Sequence, residues 1–105
     1  MMTAPPTILR YCGALDALHQ AADRVRAAQA DAARACGVVD VLQARLPQLF
    51  EDSDEHARVA LRAYIRHIDE LEAARAAVSA AQAAHAAALD EERAAHAVLL
   101  RAFAC

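Results

Sequence analysis

From Asp54 to Phe103 the chain runs for 50 residues without a glycine or a proline. A helix of that length extends ~75 Å at the α-helical rise, far beyond an ordinary globular helix. It needs a partner along its whole face. Large residues recur along it at spacings of three and four: Leu61, Tyr64, Ile68, Leu71, Arg75, Val78, Gln82, His85, Leu89, Glu92, His96, Leu99 and Phe103. That is one heptad seam.

The preceding segment supplies a partner of matching length. Its seam reads Ile8, Tyr11, Leu15, Leu18, Ala22, Val25, Gln29, Ala32, Cys36, Val39, Gln43, Leu46 and Phe50. Two helix breakers interrupt it. Gly37 costs about 1 kcal/mol in a helix interior, and Pro47 pushes Leu46 away from the α region. The seam keeps its phase across Gly37, which predicts a kink or break there with no change of direction. The reading is therefore an extended lead-in over 1–6 and one helical domain over 7–105. Within it lie a helix over 7–36, a helix over 38–50, an acidic turn over 51–53 and a helix over 54–103. Thr7 caps the first helix or Pro6 fills its first turn. Asp52 and Glu55 fit a capping box for the last helix, whose positive end suits these acids.

A short turn makes the two long segments antiparallel neighbours, with facing residue numbers that add up to roughly 104. This places Val39 near Tyr64, Cys36 near His67, Gln29 near Arg75, Val25 near Val78, His19 near His85, Tyr11 near Glu92 and Ile8 near His96. Bulk is distributed unevenly along this hairpin. Val38 to Phe50 with Val59 to Leu71 form one large apolar cluster, and Ile8 to Leu18 with Leu89 to Phe103 form another. Between them, residues 21–35 and 73–88 are mostly alanine, which accounts for 31 of the 105 residues. Small facing side chains let helix axes approach towards ~8 Å, yet they contribute little of the ~25 cal/mol/Å² apolar term. Ile65, Val98 and Leu100, with Ala74, Ala81, Ala88 and Ala95, widen the last helix's apolar face beyond a two-helix seam, and a stripe of that kind marks an interface. The fold expected is all-α: a coiled-coil-like antiparallel hairpin that completes a four-helix bundle by dimerisation or by binding a partner.

Charge and composition narrow the function classes. A net charge of −3 argues against a general nucleic-acid binder, whose phosphate contacts need a basic face. The first residues lack a basic segment followed by an apolar run, so no secretory signal is readable. No stretch approaches the ~20 apolar residues of a membrane span. Three cysteines without metal-type spacing fit a reducing, cytoplasmic setting. Cys36 reads as a small buried apolar residue, and Cys105 as a dangling terminal thiol.

The histidines are the remaining candidates for chemistry. Glu92 and His96 share a helix face, but the single Glu-x-x-x-His spacing lacks the second copy that a di-metal bundle uses. Tyr11, Glu92 and His96 instead read as a polar layer that fixes register. His19 opposite His85 forms a second such layer, one that repels itself when both rings charge near pH ~6. Cys36 beside His67 has neither an orienting third group nor a concave pocket. The sequence thus predicts no catalytic residue, no cofactor and no metal. It points to a structural or interaction module that self-associates or docks on another protein, with Ile65, Val98, Leu99, Leu100 and Phe103 at the partner interface. Two other readings are a small helical chaperone or stalk of a bacterial export apparatus, by analogy of outline alone, and a nucleic-acid-associated hairpin dimer. The latter requires Arg24, Arg26, Arg34, Arg58, Arg62 and Arg66 to gather on one face.

Overall fold

The computed structural model describes residues 5–104, with the Asp52 side chain left aside. The protein is all-helical, two long helices joined as a hairpin. Helix α1 spans Pro6–Asp52 and helix α2 spans Asp54–Phe103, leaving Ser53 alone between them.

Local chemistry sets the helix starts. The Pro5 carbonyl accepts from the Ile8 and Leu9 amides at 3.0 and 3.1 Å, with Pro6 in the first turn, where its missing N–H costs nothing. Ser53 caps α2: its Oγ accepts from the His56 amide at 3.1 Å, and its carbonyl accepts from the Ala57 amide at 2.9 Å. The N-cap is therefore Ser53 and not Asp52. A serine followed by two first-turn acids, Asp54 and Glu55, satisfies both the orphan amides and the helix dipole.

Helix α1 does not break at Gly37. It continues through Gly37 and through Pro47 to Asp52. One glycine costs less than a break would, because an unbroken helix keeps both flanking segments packed in phase along the seam. Pro47 withholds one amide from the Gln43 carbonyl, but Gln43 and Pro47 are both exposed, so water can serve that group. A Cβ added at Gly37 meets nothing within 4 Å, and the residue does not adopt positive φ. Gly37→Ala is accordingly expected to stabilise the protein by about 0.5–1 kcal/mol, a rise of a few degrees in the melting midpoint followed by circular dichroism. A lower midpoint would show that the glycine serves a local distortion.

The chain divides into two units, Met1–Arg26 with Ala80–Cys105, and Ala27–Ser79. In the first unit the seam consists of Tyr11, Ala14, Leu18, Ala21 and Val25 from α1, with Ala81, His85, Ala88, Glu92, Ala95 and Leu99 from α2. In the second it consists of Ala28, Ala32, Ala35, Val39, Leu42, Leu46 and Leu49, with Ala57, Ala60, Tyr64, His67, Leu71, Ala74 and Val78. All of these are buried or half-buried. Buried side chains among the described residues are few: Ala14, Ala21, Val39, Leu71 and Ala95, with no polar group among them.

This seam corrects the expected one at every second position. Letter the heptad so that Tyr11 and Glu92 occupy position a. The a residues of both helices face inward as predicted. At the d positions Ala14, Ala21, Ala28, Ala35, Leu42 and Leu49 are buried or half-buried, while of the expected residues Gln29, Gln43 and Phe50 are exposed and Leu15, Ala22 and Cys36 stay half-buried beside them. In α2, Ala60, His67, Ala74, Ala81, Ala88 and Ala95 take that place, while Leu61, Arg75, Gln82 and His96 are exposed and Ile68 and Leu89 stay half-buried. The cause is steric and polar together. An alanine every seventh residue permits close helix approach, and it spares Gln29, Gln43, Arg75 and Gln82 the cost of burial. The expected bonding of Gln29 to Arg75 does not occur among the described residues, and both are exposed.

Candidate interaction site

Each unit presents two flanks, and the residues beside the seam give them different characters. In the first unit, position g of each helix meets across one flank, where the Arg10 guanidinium donates to the Glu91 carboxylate at 3.0 Å. With both side chains about half exposed, such a pair contributes at most ~1 kcal/mol; it joins residues that the antiparallel register brings side by side. The g positions also hold Arg24, Asp31, Arg45 and Glu70. Val38, Val98 and the alanines at 17, 63, 77 and 84 lie at g positions among them.

The opposite flank carries the e positions, the residues displaced from the predicted seam. In the second unit these are Gln29, Cys36, Gln43 and Phe50 with Asp54, Leu61, Ile68 and Arg75, extended by Ile65 one turn on from Leu61. Phe50, Leu61 and Ile65 are exposed, Ile65 by 51%, while Cys36 and Ile68 are half-buried. In the first unit they are Ile8, Leu15 and Ala22 with Gln82, Leu89, His96 and Phe103, extended by Leu100. Phe103 is 69% exposed and Leu100 57%. Among the predicted interface residues, then, Ile65, Leu100 and Phe103 stand open, while Val98 and Leu99 are half-buried, Leu99 as part of the seam.

The polar residues singled out in the sequence distribute as follows. Tyr11 stacks at a tilt on the His96 ring, with centroids 5.5 Å apart and planes inclined by 32°. His96 itself lies beside the seam and is exposed, because Ala95 occupies the inward position. Partial burial raises the Tyr11 hydroxyl above its ordinary pKa, and the Glu92 carboxylate next to it adds to the rise. Tyr11 and Glu92 therefore meet as the register predicts. The folded state holds the phenol proton more tightly than the unfolded chain does. This contribution is complete below pH ~10, the unfolded value, and is lost as pH climbs through the higher folded value. Tyr11→Phe is expected to flatten the alkaline fall of the melting midpoint; an unchanged pH profile would show that the phenol's ionisation is not linked to folding.

His19 is exposed, whereas His85 is half-buried and lines a 190 Å³ depression with Ala22, Val25 and Arg26. Among the described residues no hydrogen bond or ring contact joins the two. The Cys36 thiol approaches the Asp40 carboxylate at 3.9 Å, and His67 Nδ1 lies 3.1 Å from Glu70, so both partners of the supposed Cys36–His67 pair are turned to neighbours on their own helix. Among the described residues no group of three His, Cys, Asp or Glu side chains is placed to hold a metal ion. Cys105 lies outside the described residues.

Arg58, Arg62 and Arg66 follow one another at intervals of four along α2. Arg26 pairs with Asp23 and Arg34 with Asp31, each within one helical turn, while Arg62 and Arg66 line a shallow groove with Val59 and Ala63. A second groove of about 510 Å³ lies beside it, formed by Leu49, Glu55, His56, Val59, Ala60 and Ala63. Sequence reasoning gave neither groove, since each depends on which residues the seam leaves outside. No helix among the described residues is long and apolar enough to cross a membrane.

These elements define a two-helix hairpin with an alanine-rich seam. Comparison with protein-family models, with curated proteins and with solved structures returns no match.

Proposed function

We propose that this chain is a non-enzymatic protein-interaction module that acts through helix-face packing, in a homodimer or a hetero-complex. One observation carries this reading. Burial goes to alanine, while large apolar residues such as Ile65, Leu100 and Phe103 are left at the surface. A monomer gains nothing from that arrangement, whereas a partner face gains the apolar area. A cytoplasmic setting goes with it, since Cys12 and Cys36 are free thiols of the kind a reducing compartment maintains.

The test is the native mass of the tagged full-length chain in cell lysate and after purification. Phe103→Glu with Leu100→Glu is expected to shrink the assembly while helicity persists. A wild-type chain that sediments as a monomer in both settings would end this reading.

A further inference from the structure

We propose that the groove beside Arg62 and Arg66 is the docking site for an acidic amphipathic helix of a protein partner. This names the partner's chemistry and rests on the interaction reading above.

Charge gives the first reason. The chain as a whole carries 14 acids against 11 arginines. Between Glu55 and Asp69, however, α2 holds no acid and places Arg58, Arg62 and Arg66 in a row. Like charges four apart stand side by side on a helix and work against it. The fold does not supply their counter-charge. Arg10, Arg26 and Arg34 each have a carboxylate. Among the described residues no ion pair engages Arg58, Arg62 or Arg66, and all three are exposed. Arg62 has no acid within four positions on its own helix. An anion from outside relieves this row.

The surface beside the row selects the kind of anion. Two depressions of about 510 and 430 Å³ adjoin and share Val59 and Ala63. Their floor is apolar, built from Leu49, Val59, Ala60 and Ala63, and Val59 is 62% exposed. Arg62 and Arg66 stand at one end, Glu55 and His56 at the other. All of these residues belong to the unit Ala27–Ser79. A phosphate backbone gains nothing from an apolar floor, and a net charge of −3 disfavours a polyanion. A partner helix gains from both features. Its apolar residues, recurring at three and four, cover Val59 and its neighbours. Its carboxylates at one end pair with Arg62 and Arg66. Glu55 repels acids at the other end, so the occupant's charge is one-sided.

The experiment uses the full-length chain and a labelled synthetic peptide of about 18 residues, long enough to form a helix. The peptide carries leucines at intervals of three and four and glutamates at one end only, and binding is followed by fluorescence anisotropy at physiological salt. The wild type is expected to bind it, and Arg62→Glu with Arg66→Glu to weaken binding on the order of 10-fold. That double variant is expected to prefer a peptide with lysines in place of the glutamates, a gain that misfolding does not produce. A peptide with serines for the leucines is expected to bind on the order of 10-fold more weakly. Arg75→Glu, exposed and outside the groove, is expected to change nothing. Binding indifferent to the double reversal, or lost equally with Arg75→Glu, overturns the groove, as does a folded double variant that does not take the lysine peptide. Equal affinity for the serine peptide overturns the apolar floor and with it the helix. A single-stranded oligonucleotide that binds more tightly than the peptide, through Arg62 and Arg66, puts nucleic acid in its place. Failure of the wild type to bind the peptide removes the acidic helix. The native mass in lysate then separates the two readings: a larger complex leaves the interaction module standing, and a monomer ends both.

Discussion

Leu71→Ala is expected to destabilise the hairpin by about 2–5 kcal/mol, the range for removing a buried leucine and leaving a cavity. In a protein of this size that is a large share of a total near 5–15 kcal/mol, and the melting midpoint should fall by roughly 10–25 °C. The reason is the scarcity of other anchors. Only Val39 and Leu71 among the buried residues are larger than alanine, and both belong to the unit Ala27–Ser79. The alanines around them offer few atoms to refill a void. Leu9→Ala serves as the contrast, since Leu9 is exposed on the outer face of α1 and its loss should cost under ~0.5 kcal/mol. Equal midpoints for the two variants would show that Leu71 does not anchor the seam.

The two helices, their hairpin connection and the residues at position a were legible in the sequence, because a period near 3.5 held over six heptads admits few other folds. Gly37 misled because its cost was weighed locally. A break saves about 1 kcal/mol, whereas an unbroken helix keeps Ala35 and Val39 in one phase, an advantage that no local propensity records. The d positions misled for a related reason. Each apolar stripe was three residues wide, so Leu15 or Ala14, and Leu89 or Ala88, were equally periodic choices for the inward place. Size suggested the leucines. Close approach of the axes favours the alanines, and only the packed pair reveals that preference. His96 went the same way: one position from Ala95, it was displaced to the rim, where it stacks on Tyr11. Ser53 was overlooked as the cap because its acidic neighbours offered a capping box of their own.

The same preference makes Ala95→Leu the second decisive substitution. Ala95 is 1% exposed, the most enclosed side chain among the described residues, and leucine has nearly alanine's helix propensity. Any loss must then come from packing. Three added carbons at this site force α1 and α2 apart, and overpacking of this kind costs about 1–3 kcal/mol. The effect should extend to the neighbouring contacts that depend on the approach, the Tyr11–His96 stack and the Arg10–Glu91 pair. Ala94→Leu, one position away and exposed, should be within ~0.5 kcal/mol of the wild type. A more hydrophobic chain is thus expected to be the less stable one, as urea midpoints for the two variants would show. If Ala95→Leu instead stabilised the protein, the seam would have room to spare. The alanines would then be filler between two apolar clusters rather than the surface that sets the distance between the helices.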